Sequence, residues 1–341
     1  MSLTIGKLPL ATNLCLAPLA GYTGLPFRLL IREIGGVGLC TTDLVNARSL
    51  VEKNRKAFAL VESCPADHPL AVQLYGCVPE EMRDAALLLQ ARGVAALDVN
   101  MGCPVRKVVR HGGGSALMGD ITRAVQLVEL MVQAVQIPVT CKMRLGWDAD
   151  NLTAPDLACA LVDVGVAGIV VHGRTRQQGF TGEVNRAGIR AVVAAVPGTP
   201  VIGNGDITTP ATAQQMFAET GCAAISIGRG AFHNPWLFRH ILHHRATGET
   251  LPEPTFEDRL AFMTRHLDAM IALLGEEHGC RQFRKVALAY LKPLGPVVEF
   301  RKRVVKLATR AEFDAMVAIY RDWREHLRPS VPTPQGPNAL W

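Results

Sequence analysis

The sequence predicts an α/β chain, a (β/α)8 TIM barrel followed by an all-helical C-terminal domain. Three observations carry this reading. Between residues 10 and 230, eight short apolar segments alternate with amphipathic helical patterns at the spacing of a parallel barrel. The segments are apolar on both faces, as strands must be when helices cover them outside and side chains pack inside. Polar and charged residues gather where each segment ends, which is where such barrels build their sites. A doubly wound open sheet is the competitor, but no Gly-x-Gly-x-x-Gly follows the first strand.

In order, the strands are expected at 13–18, 37–44, 70–74, 95–100, 139–143, 168–171, 200–203 and 223–227. Helical patterns lie between them at 26–34, 80–92, 122–135, 154–165, 187–195 and 209–220. Beyond Gly230 the texture changes. Helices poor in β-branched residues are expected at 255–274, 282–291 and 312–327, broken at Gly275, Gly279, Pro293, Gly295 and Pro296. The domains are therefore a barrel over 1–245, a helical unit over 250–328 reached through Pro252-Glu253-Pro254, and a flexible proline-rich tail at 329–341.

Composition narrows the class. Hydrophobic residues make up 49% of the chain, enough for a large core. No run of 18 apolar residues occurs, and the N-terminus does not read as a leader, so no membrane span and a cytoplasmic location are expected. The nine cysteines are scattered, with no Cys-x-x-Cys pair, and the ten histidines show no ligand spacing; reduced thiols and no metal are expected. A monomer is expected. The net charge of +6 is unevenly placed: residues 281–310 carry nine Lys/Arg against one acid, Glu299, while the rest of the chain is close to neutral. Such a patch points to a polyanionic partner, nucleic acid first. Arg281, Arg284, Lys285 and Lys292 share one helix face, and Arg301, Lys302, Arg303, Lys306 and Arg310 extend it.

The fourth strand is the centre of the chemistry. It runs through Asp98-Val99-Asn100 and ends abruptly in Met101-Gly102-Cys103-Pro104, which puts a thiol at the lip of a buried strand with an amide, Asn100, just before it. Arg106, Lys107, Arg110 and His111 follow, then the run Gly112-Gly113-Gly114-Ser115, expected as a hinge that moves the cations over a bound ligand. The other strand ends supply Gln73, Lys142 with Arg144, His172 with Arg174, Asn204-Gly205-Asp206 and Gly228-Arg229. Gly205 and Gly228 follow strands seven and eight, where this fold binds phosphate, and Arg229 adds a charge. Lys142 and His172 end neighbouring strands, suited to an anionic or electron-rich heterocycle, and Gln73 can donate and accept at once, as the edge of a flavin requires.

Together, Ala17-Pro18-Leu19-Ala20-Gly21, Asp98 to Pro104, Lys142-Met143-Arg144-Leu145-Gly146-Trp147, His172-Gly173-Arg174-Thr175, Asn204-Gly205-Asp206-Ile207 and Ile227-Gly228-Arg229-Gly230 resemble the tRNA-dihydrouridine synthase family, its bacterial members most. The resemblance runs in order from about residue 10 to 240, and a basic helical unit at the C-terminus is also a family trait. It implies an FMN-dependent enzyme that reduces the C5–C6 double bond of selected uridines in tRNA, with NADPH as electron donor. It implies that Pro18, Leu19, Ala20, Gln73, Lys142, His172, Asn204, Gly205, Asp206, Gly228 and Arg229 hold FMN. Cys103 would be the catalytic acid, giving C5 a proton after hydride reaches C6. Asn100 and Arg144 would lie near the uracil, with Arg174 also assigned to the substrate. Two positions depart from the family pattern: Leu19 stands where Met is usual, and Asp43 where Glu is commoner.

The chemistry agrees with the residue types. A thiol of ordinary pKa is protonated at neutral pH and can serve as an acid, provided the nearby cations do not lower it. A uridine inside folded tRNA must be flipped out to reach a barrel pocket, and phosphate contacts from Arg281, Arg284 and Lys285 would offset that cost. Two other classes are weighed: a flavin barrel reductase of a free small molecule, which has no need of the basic patch, and a non-enzymatic RNA-binding barrel, which would carry no flavin.

Overall fold

The computed structural model describes residues 2–291 and 298–326. An antiparallel hairpin, β1 (Leu3–Ile5) and β2 (Leu8–Leu10), precedes the barrel. The strands that follow are β3 (Leu14–Leu16), β4 (Leu39–Thr41) with a short continuation β5 (Val45–Asn46), β6 (Leu70–Tyr75), β7 (Ala96–Met101), β8 (Val139–Arg144), β9 (Gly168–His172), β10 (Val201–Asn204) and β11 (Ala224–Ile227). Every pairing in this sheet is parallel, β11 pairs with β3, and β4 pairs with β6, so eight strands close on themselves. Their residues are almost all buried, as strands covered on both faces must be. The expected (β/α)8 barrel is present.

The expected second strand is shorter than its apolar run. At Thr42 the ladder breaks: its hydroxyl accepts from the N–H of Gln73 at 3.2 Å, and the Asp43 side chain turns toward the loop after β3. Pairing resumes at Val45.

Helices α1 (Leu25–Ile34), α2 (Ala47–Val51), α3 (Arg55–Leu60), α4 (Pro79–Ala91), α5 (Arg106–Val109), α6 (Ile121–Ala134), α7 (Ala154–Asp163), α8 (Arg186–Ala195) and α9 (Pro210–Thr220) lie between the strands. They start at sequence-readable caps: Asp120 accepts from the N–H of Arg123, and Thr209 forms a capping box with Thr212. The hairpin seals the lower end of the barrel. Ile5 and Leu10 pack with Cys15, Leu39, Ala71, Ala96, Val170, Ile202 and Ala224 in one buried cluster.

After β11 come α10 (Arg229–His233), α11 (Leu237–Thr247), α12 (Phe256–Leu274), α13 (Glu276–Leu291), α14 (Val298–Val304) and α15 (Arg310–His326). The expected break at Gly279 does not occur. Its N–H bonds the carbonyl of Gly275 at 2.9 Å inside α13, and a Cβ there would sit 2.9 Å from the Met270 carbonyl oxygen. The missing side chain lets α12 and α13 cross closely. This helical region docks on the barrel through aromatic rings: Phe27 of α1 stacks on Phe232 of α10 at 4.0 Å, and Phe262, His266 and Tyr290 continue the cluster. Lys292, the breaks at Pro293, Gly295 and Pro296, and the tail at 329–341 lie outside the described residues.

Candidate active site

A cavity of about 670 Å³ opens at the C-terminal ends of the barrel strands, within the size range of cofactor and ligand sites. Pro18, Leu19 and Ala20, in the loop after β3, form an apolar wall. Gln73, Asn100, Lys142 and His172 end β6 to β9 around it, with Cys103 and Arg144 beside them. Asn204, Gly205, Asp206, Gly228 and Arg229 close the circle from β10 and β11, and Lys285 reaches in from α13.

Beneath the cavity a chain of hydrogen bonds crosses three strands. The register sets Gln73 of β6 beside Asp98 of β7, and Asp98 beside Thr140 of β8. Thr140 Oγ1 donates to Asp98 Oδ1 at 2.7 Å, and Gln73 Nε2 donates to Asp98 Oδ2 at 2.6 Å. Asn100 Nδ2 in turn donates to Gln73 Oε1 at 2.7 Å. Asp98, an acceptor on both oxygens, thereby fixes which way both amides point. Burial pushes its carboxyl up to about 6, while the bonds from Gln73 and Thr140 and the charge of Lys142 pull it back, so it is ionised at neutral pH.

The last link reaches the thiol. Asn100 Oδ1 accepts the backbone N–H of Cys103 at 3.0 Å, and Arg144 Nε donates to the Gly102 carbonyl at 2.9 Å. The turn is also held from below, where the N–H of Ser115 bonds the Cys103 carbonyl at 3.1 Å. Gly114 has φ +58°, and a Cβ on it would lie 2.8 Å from that same carbonyl oxygen. The glycine run expected as a hinge is, in this structure, a close-packed support for the cysteine. Cys103 itself is half-buried, and burial raises its thiol above the ordinary value against the smaller pull of Arg144.

On the opposite side, burial lowers Lys142 to about 8, with the Asp98 carboxylate opposing. Its Nζ donates to Asn204 Oδ1 at 3.0 Å, and Asn204 Nδ2 donates to the Ser226 carbonyl at 2.7 Å. Burial, followed by Lys142 and three arginines, holds His172 well below its usual value, so the ring is neutral. Asp206, at φ +50°, is bridged by Arg174 at 2.6 Å and Arg229 at 3.2 Å. Both its oxygens are engaged, which leaves its backbone to meet a ligand.

A family model for dihydrouridine synthases matches residues 15–323 of this chain. The chain belongs to the dihydrouridine synthase family. The tRNA-dihydrouridine synthase B of Xanthomonas axonopodis pv. citri is 38% identical over 328 residues, covering 96% of this chain and 97% of its own length. That of Pseudomonas aeruginosa is 36% identical over 319 residues, covering 94% and 95%. Among solved structures, a 2-naphthoyl-CoA reductase complex superposes with a TM-score of 0.55 at 11% identity, over 71% of this chain and 51% of that one. A morphinone reductase mutant in complex with tetrahydroNAD gives 0.51 at 15% identity, over 75% and 92%. At these identities the likeness is one of fold.

In this dihydrouridine synthase family member three residues expected to contact the substrate are engaged by protein groups. Arg174 is 2% exposed and sits behind the cavity, spent on Asp206 and on the carbonyls of Thr181 and Gly182. Arg281 pairs with Glu277 on the surface of α13 at 2.6 Å. Arg284 donates to the carbonyls of Lys306 and Leu307, tying α13 to the turn that follows α14. Arg310 is likewise paired, with Asp268 and Asp314. Of the remaining patch, Arg301 lines the cavity mouth.

Two residues at the site had no assigned role from sequence. Asp98 was legible as the one acid in an apolar strand, a signal that it must be compensated. Phe180 was not: it is a lone aromatic in a polar loop. It is half exposed at the cavity wall, with the guanidinium carbons of Arg229 and Arg144 5.1 and 5.4 Å from its ring centre. No described helix is long and apolar enough to cross a membrane.

Proposed function

We propose that this chain reduces the C5–C6 double bond of selected uridines in tRNA to 5,6-dihydrouridine, using FMN as cofactor and NAD(P)H as electron source. The observation that carries the reading is one cavity holding an apolar wall, a cationic polar edge and a thiol that burial keeps protonated. Membership in the family supports it.

The residues fit the cofactor. Pro18, Leu19 and Ala20 offer an apolar face to a flat ring system, and Gln73, Lys142 and His172 offer donors and acceptors at its edge. Asn204 holds Lys142 in place. Arg229, with the backbone of Gly205, Asp206 and Gly228, suits the phosphate. When bound, reduced FMN supplies the hydride that goes to C6.

Cys103 then gives its Sγ proton to C5: the S–H bond breaks, a C–H bond forms, and the thiolate regains a proton from water. Asn100 holds the thiol at that position through the Cys103 backbone, and Arg144 fixes the same turn from the other side. Arg144 stabilises the negative charge that develops on the uracil. The barrel, over 1–245, carries the chemistry. The helical unit, over 250–328, grips the tRNA backbone so that the flipped uridine enters, with Arg301, Arg303 and Lys306 as its phosphate-facing cations. The protein works as a monomer in the cytoplasm, where its substrate is.

The test is direct. The purified protein should be yellow, retain FMN, and form dihydrouridine on tRNA from cells lacking this gene, at positions that sequencing of those tRNAs shows unmodified. A protein that binds no flavin, or that reduces free pyrimidines and no tRNA, overturns the reading.

A further inference from the structure

The loop after β3 carries the apolar wall of the cavity, and it is held from two directions. From the barrel side, Asp43 accepts the N–H of Gly21 at 2.6 Å, the N–H of Thr23 at 3.3 Å and the Thr23 hydroxyl at 2.8 Å. From the helical region, Lys285 of α13 reaches across: its Nζ donates to the Ala20 carbonyl at 2.6 Å and lies 4.2 Å from the centre of the Tyr22 ring. Gly21 lies between these two anchors at φ +75°, and a Cβ on it would sit 2.8 Å from the Lys285 ammonium. The glycine leaves the slot that the ammonium occupies.

Lys285 as a whole stays exposed, but its ammonium, bound to a carbonyl and seated over an aromatic face, is held in one place by protein groups. A phosphate-binding lysine is different: a flexible, hydrated point charge free to follow its anion. The other expected RNA cations divide on the same criterion. Arg281, Arg284 and Arg310 are spent on protein groups, whereas Arg301, Arg303 and Lys306 have no side-chain hydrogen bond or ion pair among the described residues.

We propose that Lys285 is a positioning residue, a latch between the helical region and the loop at residues 18–23, rather than an RNA contact. Through it, the docked helical region holds Pro18, Leu19 and Ala20 in the shape that receives the flavin. By linkage, the cofactor in turn favours the docked helical region. The inference rests on the proposed cofactor site for its functional meaning, but the latch itself is a property of the protein alone.

The experiment uses the full-length protein and Lys285→Met, which keeps the apolar stem and removes the charge, with Tyr22→Leu as a second probe of the same contact. Four outcomes are compared. Amide hydrogen exchange at Tyr22 and Thr23, measured without cofactor, should speed up in Lys285→Met while α6 and α9 exchange as before. FMN binding to the apoprotein should weaken by on the order of tenfold, what losing one charged hydrogen bond is worth. The two substitutions should be non-additive in a double-mutant cycle, because they remove one contact. The slope of log K against log salt for tRNA binding should be unchanged.

Unaltered exchange at Tyr22 and Thr23, or a slope reduced by about one with FMN binding intact, overturns the latch and makes Lys285 a phosphate contact. A parent protein that binds no FMN at all sinks the proposed function instead, and the exchange data still decide for or against the latch.

Discussion

Asn100 Oδ1 and the backbone N–H of Cys103 lie 3.0 Å apart, so the thiol is aimed by a side chain three residues upstream on the same strand end. That side chain is itself aimed, through Gln73, by the buried Asp98. Asn100→Ala removes the acceptor and leaves the Cys103 turn held by Arg144 and Ser115 alone. Uridine reduction should fall about tenfold to a hundredfold, the range for one lost buried hydrogen bond. Flavin reduction by NADPH should be unaffected. Single-turnover measurement of the two half-reactions checks this, and equal slowing of both would count against the arrangement.

Cys103→Ala should slow uridine reduction by about 10²–10⁴ while flavin reduction proceeds at its normal rate. The pH profile gives a separate check. Burial raises the thiol above its ordinary value, so the proton-donating form persists to higher pH than in a free thiol and is lost as pH rises beyond that. With saturating, pre-reduced FMN, the rate should be flat through neutral pH and fall about one log per pH unit only above the range where a free thiol titrates. The saturation matters, because Lys142 loses its charge near pH 8.

His266 is one source of acid sensitivity. It is buried among Phe27, Phe283 and Tyr290, its Nδ1 lies 2.8 Å from the Tyr290 hydroxyl, and burial pushes it down to about 3. The folded chain leaves it neutral where the unfolded chain protonates it, so stability is present above pH ~6.5 and drains away as pH falls through that value toward 3. Asp98, pushed up to about 6, acts with the opposite sign between 6 and its usual value. Comparison with His266→Gln isolates one group: the two slopes of unfolding free energy against pH should differ by about 1.4 kcal/mol per unit below pH 6. Urea unfolding at several pH values reads this, and parallel slopes would refute it.

The basic patch should separate into two kinds of residue. Arg303→Ala should weaken tRNA binding across sequences and reduce the salt slope by about one. Arg281→Ala, already paired with Glu277, should change the slope by clearly less. Arg284→Ala should lower the melting temperature, because its guanidinium ties α13 to the carbonyls of the turn after α14. A slope that responds equally to all three would mean that the surface pairs open for RNA.

The strands and the residues at their ends were readable because both follow from burial. A strand covered on two faces is apolar throughout, and a polar residue at its end has little reason to be there except a ligand or a neighbour. That logic located Gln73, Lys142, His172 and Asn204. It did not tell ligand from neighbour: Arg174 and Arg284 have the sequence signature of substrate contacts and are spent inside the protein. Glycine misled for a similar reason. Gly114 and Gly279 read as a hinge and a break, yet each is present because another backbone passes too close for a Cβ. Sequence records that a side chain is missing, and only packing says why.

The hairpin over Leu3–Leu10 stoppers the cylinder from beneath with aliphatic side chains. The barrel interior above it is packed with side chains, so the cavity's mouth lies at the C-terminal ends of the strands. Under the proposed function, the nicotinamide that recharges the flavin and the base that discharges it would use the same opening, each leaving before the next arrives. Alternation of the two half-reactions is then imposed by plumbing, and competition between NADPH and tRNA should appear as mutual inhibition at high concentration of either.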